Sequence, residues 1–235
     1  LLLVSIAVSC KAESFRISKN SKAAAIIVSA NDAIPSEKTA ARELSDYLRK
    51  ITSADFPVYT PDTAPANTPT IYVGPSVKAR QLADNVDWNS LKSDEIVIRF
   101  TGKDLILAGG RPRGTLYAVY TFLEEYAGCR WWTASAEKVP EQSSFSVKKR
   151  NKQYAPTFMY REPYFAQVIN RNAPFCAKLK INGTSQAIPA EYGGHYNLIG
   201  FVHTADNFLP AAGYFGEHPE WYSLVNGKRV GGQAY

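Results

Sequence analysis

The residues best equipped for chemistry lie in the second half of the chain. Arg161-Glu162 follows the apolar run Phe158-Met159-Tyr160, and His203-Thr204 follows a second apolar run from Leu198 to Val202. A guanidinium offers several donors in a fixed fork, and a neutral imidazole both donates and accepts. Each is therefore a ligand candidate where it ends a strand. Arg161 and Glu162 are equally suited to an ion pair that ties this region to the one before it. His195, His203 and His218 lack the helical or hairpin spacing that metal sites use, and no metal is expected. The neighbouring carboxylates Glu217 with Glu220, and Glu124 with Glu125, occupy surface-like positions and are not expected to act as an acid–base pair. His218-Pro219-Glu220-Trp221 reads as structural, Pro219 setting a turn and Trp221 covering a wall of the fold. The rings of Tyr192, Tyr196, Trp221 and Tyr222 suit the apolar faces of sugars and suit a core equally well.

Two further motifs invite a functional reading. Gly109-Gly110-Arg111-Pro112-Arg113-Gly114 sits between a strand and a helix, where phosphate-binding loops occur. Its spacing fits neither G-x-G-x-x-G nor the P-loop, and no Lys-Ser/Thr pair closes it, so the glycines are expected to serve a tight turn. The apolar start, Leu1 to Val8, is too short to cross a bilayer, and Ala7-Val8-Ser9 before Cys10 resembles a bacterial lipoprotein cleavage site. That resemblance implies lipidation at Cys10, with ordinary signal cleavage left open by Ala7. The protein is then expected to be exported, periplasmic or at the cell surface, and to touch a membrane only through a lipid anchor at Cys10. Cys129 and Cys176 lie in apolar surroundings and are expected to be small buried hydrophobes rather than a disulfide.

The elements that must position these residues are legible in the periodicity. An apolar strand, Ala23 to Ala30, leads to a helix opened by Pro35-Ser36. Its stripe is Ala40, Leu44, Tyr47, Leu48 and Ile51, with Glu37, Arg42, Asp46 and Arg49 facing water. Short β runs follow at Phe56 to Tyr59 and Ile71 to Val73. Glu95 to Phe100 and Leu105 to Ala108 then form a hairpin across Thr101-Gly102-Lys103-Asp104. A second helix buries Leu116, Val119, Tyr120 and Leu123 and ends near Gly128, and a last strand spans Ser144 to Val147. The fold class expected is α/β: a small mixed-sheet α+β domain with its two main helices on one side, followed by the incomplete start of a (β/α)8 TIM barrel. The divisions are a leader over 1–22, the small domain over 23–147, a linker over 148–156 and the barrel's opening over 157–235. Such a barrel needs ~250 residues, so only about its first third is expected here. The net charge of +6 is dispersed apart from Lys148-Lys149-Arg150 with Lys152, which reads as solvated linker. No nucleic-acid-binding motif occurs, and no nucleic acid is expected as partner.

Several runs carry a family resemblance. The helix Thr39 to Leu48, the segment Ile71-Tyr72-Val73-Gly74 and the run Gly114 to Glu124 resemble the small domain that precedes the barrel in family 20 β-hexosaminidases and family 67 α-glucuronidases. Tyr160-Arg161-Glu162-Pro163, Phe201-Val202-His203-Thr204 and His218 to Leu224 with Gly227-Lys228-Arg229 resemble the Domain of Unknown Function family 4838, a set of exported bacterial proteins grouped with glycoside hydrolases. The resemblance implies a carbohydrate-active enzyme with a glycan or polysaccharide substrate and no cofactor. Its catalytic carboxylates are expected beyond Tyr235, so no catalytic residue is assigned here and residues 1–235 alone are expected to be inactive. It also implies that Arg161 binds sugar hydroxyls; His203, by its position after the next strand, is expected beside it. The alternative is a non-catalytic glycan-binding lipoprotein on the same fold.

Overall fold

The computed structural model describes residues 13–166, 172–183, 187–200 and 204–232; Cys10 and His203 lie outside them. The chain forms two compact units, one through Tyr196 and one from Asn197. In the first, β1 (Ser14–Arg16), β2 (Ser18–Lys19), β3 (Lys22–Ala23) and β4 (Ile26–Ser29) lead into α1 (Pro35–Thr52). Next come β5 (Val58–Tyr59), β6 (Thr70–Val73), α2 (Val77–Leu82), β7 (Ile96–Thr101) and β8 (Asp104–Gly109). The unit continues through α3 (Gly114–Glu125), β9 (Arg130–Trp131), β10 (Glu137–Lys138), β11 (Ser146–Lys148), β12 (Lys152–Tyr154) and α4 (Ala173–Lys178).

The central sheet has the order β12-β7-β8-β6-β4-β5. β4, β5, β6 and β8 run parallel, and the hairpin β7–β8 and the edge strand β12 add antiparallel partners. Strand residues alternate between faces, which splits the apolar set in two. Ile27, Ile71, Val73, Leu105 and Leu107 meet α1 and α3, while Val97, Ile106 and Ala108 meet Ala79 of α2 and Ala83 and Val86 beyond it. The two main helices thus share one face, and a short third helix covers the other.

α1 buries the expected stripe, Ala40, Leu44, Tyr47, Leu48 and Ile51. Glu37 departs from its expected exposure: it is fully buried, because at a helix start its carboxylate has two tasks. It accepts from the backbone N–H of Ile34 at 3.0 Å and takes a two-pronged pair from Arg111, Nε at 2.9 Å and Nη2 at 3.0 Å. α3 is buried beyond one stripe, from Gly114 to Leu123, since the sheet, α1 and α4 pack around it. Burial pushes the Cys129 and Cys176 thiols up to about 11, as fits small core residues.

The expected domain limits change at both ends. β1 pairs antiparallel with β11, so the domain begins before residue 23. Lys152–Tyr154, expected as linker, pairs with Ile96–Ile98 as the sheet's edge. Residues 158–160 form no strand. Their backbone is satisfied by side chains instead: Asn182 Oδ1 accepts from Arg161 N at 2.9 Å, Asn182 Nδ2 donates to Met159 O at 2.9 Å, and Arg161 Nη1 donates to Phe158 O at 2.7 Å.

In the second unit, α5 (Thr204–Phe208), α6 (Ala211–Tyr214) and a 3-10 turn (Pro219–Trp221) precede the hairpin β13 (Ser223–Val225) and β14 (Lys228–Val230). Asn226 and Gly227 both have positive φ, 49° and 77°, the backbone a two-residue type I′ hairpin demands.

Candidate functional site

A buried polar cluster of the first unit is built around one carboxylate. Asp94 lies in the turn just before β7, and Arg113 immediately precedes α3. The two meet because the glycine loop is drawn against the 92–95 backbone: Gly110 N donates to Glu95 O at 2.9 Å and Gly114 N to Ser93 O at 2.9 Å. No side chain fits there. A Cβ on Gly110 would lie 1.9 Å from Lys92 O, and one on Gly114 2.2 Å from Glu95 O. The glycines therefore serve close packing, as the spacing suggested, rather than a phosphate.

Asp94 Oδ1 accepts from Arg113 Nε at 2.5 Å, and Oδ2 accepts from Arg161 Nη2 at 2.6 Å and Asn182 Nδ2 at 2.7 Å. Asp94, Arg113 and Asn182 are buried. Arg113 Nη2 donates to Ser93 Oγ at 3.2 Å, Nη1 to Gly193 O at 3.3 Å, and its guanidinium covers the Tyr196 ring at 4.6 Å. Charges so far from water persist only when their attraction and hydrogen bonds offset desolvation, and here two cations and an amide converge on one anion. Burial, and then the neighbouring Asp94 charge, push the Tyr117 phenol above its ordinary range, so it stays neutral beside the cluster.

Arg161 is held here by nearly all its donors. Besides Asp94 and Phe158 O, Nε donates to Lys180 O at 2.8 Å, and the Tyr117 ring lies 5.8 Å from the guanidinium. Of the two expected roles, an ion pair to the sheet domain is formed, with Asp94 rather than Glu162 as its anion; Glu162 instead accepts from the Tyr160 hydroxyl. His203 lies outside the described residues. Asp94, Arg113 and Asn182 were not singled out from the sequence. The available signal was a charged residue on each side of a hairpin whose ends must come together.

The remaining candidates are accounted for separately. Glu124 pairs with Lys180 at 3.3 Å and Glu125 with Lys152 at 2.5 Å, both in surface ion pairs. Tyr192, partly buried, packs against the core, and the Tyr196 ring lies under the Arg113 guanidinium. His195 Nδ1 is 3.2 Å from Ile188 O. In the second unit His218 pairs with Glu220 at 3.1 Å and stacks on Trp221, ring centroids 3.8 Å apart and 6° from parallel. Among the described residues no group of His, Cys, Asp and Glu could hold a metal ion, and no helix is long and apolar enough to cross a membrane. A cavity of about 840 Å³ opens on the α2 face of the sheet, lined by Val28, Tyr72, Ser76, Lys78 and Gln81. It shares no residue with the Asp94 cluster.

Residues 131–234 match the model of the family described as Domain of unknown function (DUF4838). No curated protein matches. Among solved structures, a family GH115 4-O-methyl-α-glucuronidase with specificity for decorated arabinogalactans superposes with a TM-score of 0.53 at 16% identity, over 78% of this chain. The chain spans 29% of that protein's length. A GH20 β-N-acetylhexosaminidase from Streptomyces coelicolor follows with a TM-score of 0.45, 15% identity, and 73% and 31% of the two chains covered. At such identity the first likeness is one of fold: a mixed sheet with helices, as found at the front of a glycoside hydrolase.

Proposed function

We propose that this chain is the front of an exported carbohydrate-active protein, a glycoside hydrolase acting on complex glycans or polysaccharides. The observation that carries it is the fold shared with the family GH115 glucuronidase, joined to the family match over residues 131–234. In this reading a TIM barrel opens near Thr157 and its acid and base carboxylates follow Tyr235. His203 would face the sugar at the barrel mouth. Arg161, its donors engaged with Asp94 and backbone carbonyls, would fix the first mouth loop. The test compares the protein extended through its downstream sequence with residues 1–235 on decorated polysaccharides and aryl glycosides. Turnover is expected from the extended form alone. Glycan binding without turnover would assign the non-catalytic alternative, and neither would refute both.

Export and anchoring rest on the apolar start and the Ser9-Cys10 junction. Incorporation of a fatty-acid analogue is expected in cells making the full precursor and lost in Cys10→Ala. Equal labelling of the two would remove the lipoprotein reading.

A further inference from the structure

The second unit carries two aromatic pairs of different exposure. Phe215 and Tyr222 pack edge to face, centroids 5.2 Å apart and 83° between planes, and both are partly buried. Tyr214 and Trp221, the residues just before them, both face outward. They sit 6.2 Å apart at 40°, with Tyr214 44% and Trp221 54% exposed. The outward pair is not needed to hold the turn. That is done by His218 N donating to Tyr214 O at 2.8 Å, Tyr222 OH to Leu209 O at 3.2 Å, and Arg229 Nη1 to Tyr222 O at 2.7 Å.

We infer that Trp221, backed by His218 and flanked by Tyr214, is a stacking platform for one pyranose ring of a β-linked glycan chain. The inference rests on the carbohydrate reading above and adds to it a site, a residue and a sugar geometry. The imidazole lies flat against one indole face, centroids 3.8 Å apart, and just over half of Trp221 remains exposed. A flat aromatic face suits a ring that is apolar on one side. Pyranoses with equatorial substituents are such rings, since their axial C–H bonds point to one face and their hydroxyls to the rim. The rim here is polar. Glu220 lies 3.1 Å from the His218 imidazole, and Arg229 Nη1 donates to the carbonyl of Tyr222, the residue after Trp221, so a carboxylate and a guanidinium flank this turn for hydroxyls to pair with.

The experiment titrates the chain with cellohexaose, xylohexaose and N-acetylchitohexaose, following intrinsic fluorescence and calorimetry. The variants are Trp221→Ala, Trp221→Phe and, as a control, Leu224→Ala, an exposed residue outside the platform. Wild type is expected to bind at least one hexasaccharide with an indole emission shift. Trp221→Ala is expected to bind it roughly 10-fold or more weakly, with Trp221→Phe intermediate and Leu224→Ala unchanged. Melting temperatures of all four, measured alongside, must stay close for the comparison to count, and a half-exposed indole should allow that. Binding unchanged in Trp221→Ala overturns the platform while leaving the carbohydrate reading intact. Wild type that binds none of the three overturns the platform, and the carbohydrate reading then stands or falls on turnover by the extended protein. Self-association that is lost in Trp221→Ala would mean that a second copy covers the patch, and also overturns it.

Discussion

Replacing Asp94 with alanine is expected to lower the melting temperature of the chain by roughly 6–20 °C. Removing one partner of a buried ion pair leaves its counter-charge stranded and typically costs about 3–5 kcal/mol. In a domain of this size each kcal/mol shifts the melting temperature by about 2–4 °C. Here two guanidiniums would be stranded. Arg113 is buried with Asp94 as its anion at 2.5 Å, and Arg161 loses its anion at 2.6 Å. Asn182, fully buried, would also lose one of the two acceptors of its Nδ2, keeping only Met159 O. Asp94→Asn keeps the size and one carbonyl acceptor but not the charge, so its cost should fall between wild type and alanine. A second measurement separates this latch from general destabilisation. Arg161 is sequestered in wild type, whereas in Asp94→Ala trypsin should cut after Arg161 before it cuts within the sheet. A drop below about 2 °C, or no new cut at Arg161, would show that the cluster does not hold the 158–163 segment in place.

The parts of the fold that follow a period were legible, and those that depend on long-range pairing were not. The stripe of α1, the hairpin β7–β8 and the α3 run are local patterns of apolar spacing, and each stands where the periodicity placed it. β12 was hidden because Lys152-Gln153-Tyr154 is polar. An edge strand on an antiparallel ladder needs no apolar face, and its pairing to Ile96–Ile98 is a contact across distant sequence. Glu37 misled for the opposite reason. Its place on the α1 wheel says solvent, and only the fold brings Arg111 from the far end of β8 to meet it. Of the Asp94 cluster only the Asp94–Arg113 pair flanking the hairpin left a sequence signal; Arg161 and Asn182 share no spacing rule with it and join only through the turn after α4. Arg161 was singled out as a donor either to sugar hydroxyls or to an ion pair, and the fold forms an ion pair, with Asp94. What sequence could not supply was the partner that decides between an anion of the protein and a sugar.

Gly110→Ala is expected to be among the most damaging single-atom-scale changes in the chain, costing about 3 kcal/mol or more, where overpacking of a core usually costs about 1–3 kcal/mol. The added Cβ would fall 1.9 Å from the Lys92 carbonyl oxygen and 2.6 Å from its carbon. A flexible side chain could move aside, but this obstacle is backbone. That backbone cannot retreat cheaply either. Glu95 N donates to Lys92 O at 2.9 Å, Gly110 N to Glu95 O at 2.9 Å, and the intervening Asp94 is fastened by three side chains. Gly102→Ala provides the comparison. Gly102 has a positive φ of 55° at the tip of the β7–β8 hairpin, yet nothing lies within 4 Å of a Cβ there. Its cost should be the backbone penalty alone, about 1–2 kcal/mol. Urea unfolding of both variants, with midpoints compared at a shared slope, measures the difference. Equal midpoints would mean that the loop relaxes and that close packing is not why glycine stands at 110. If the loop cradled a phosphate instead, Gly110→Ala would change the affinity for inorganic phosphate while leaving the midpoint near wild type. The packing reading requires the reverse, because the loop's amides at Gly110 and Gly114 already donate to Glu95 and Ser93 and have nothing left to offer an anion.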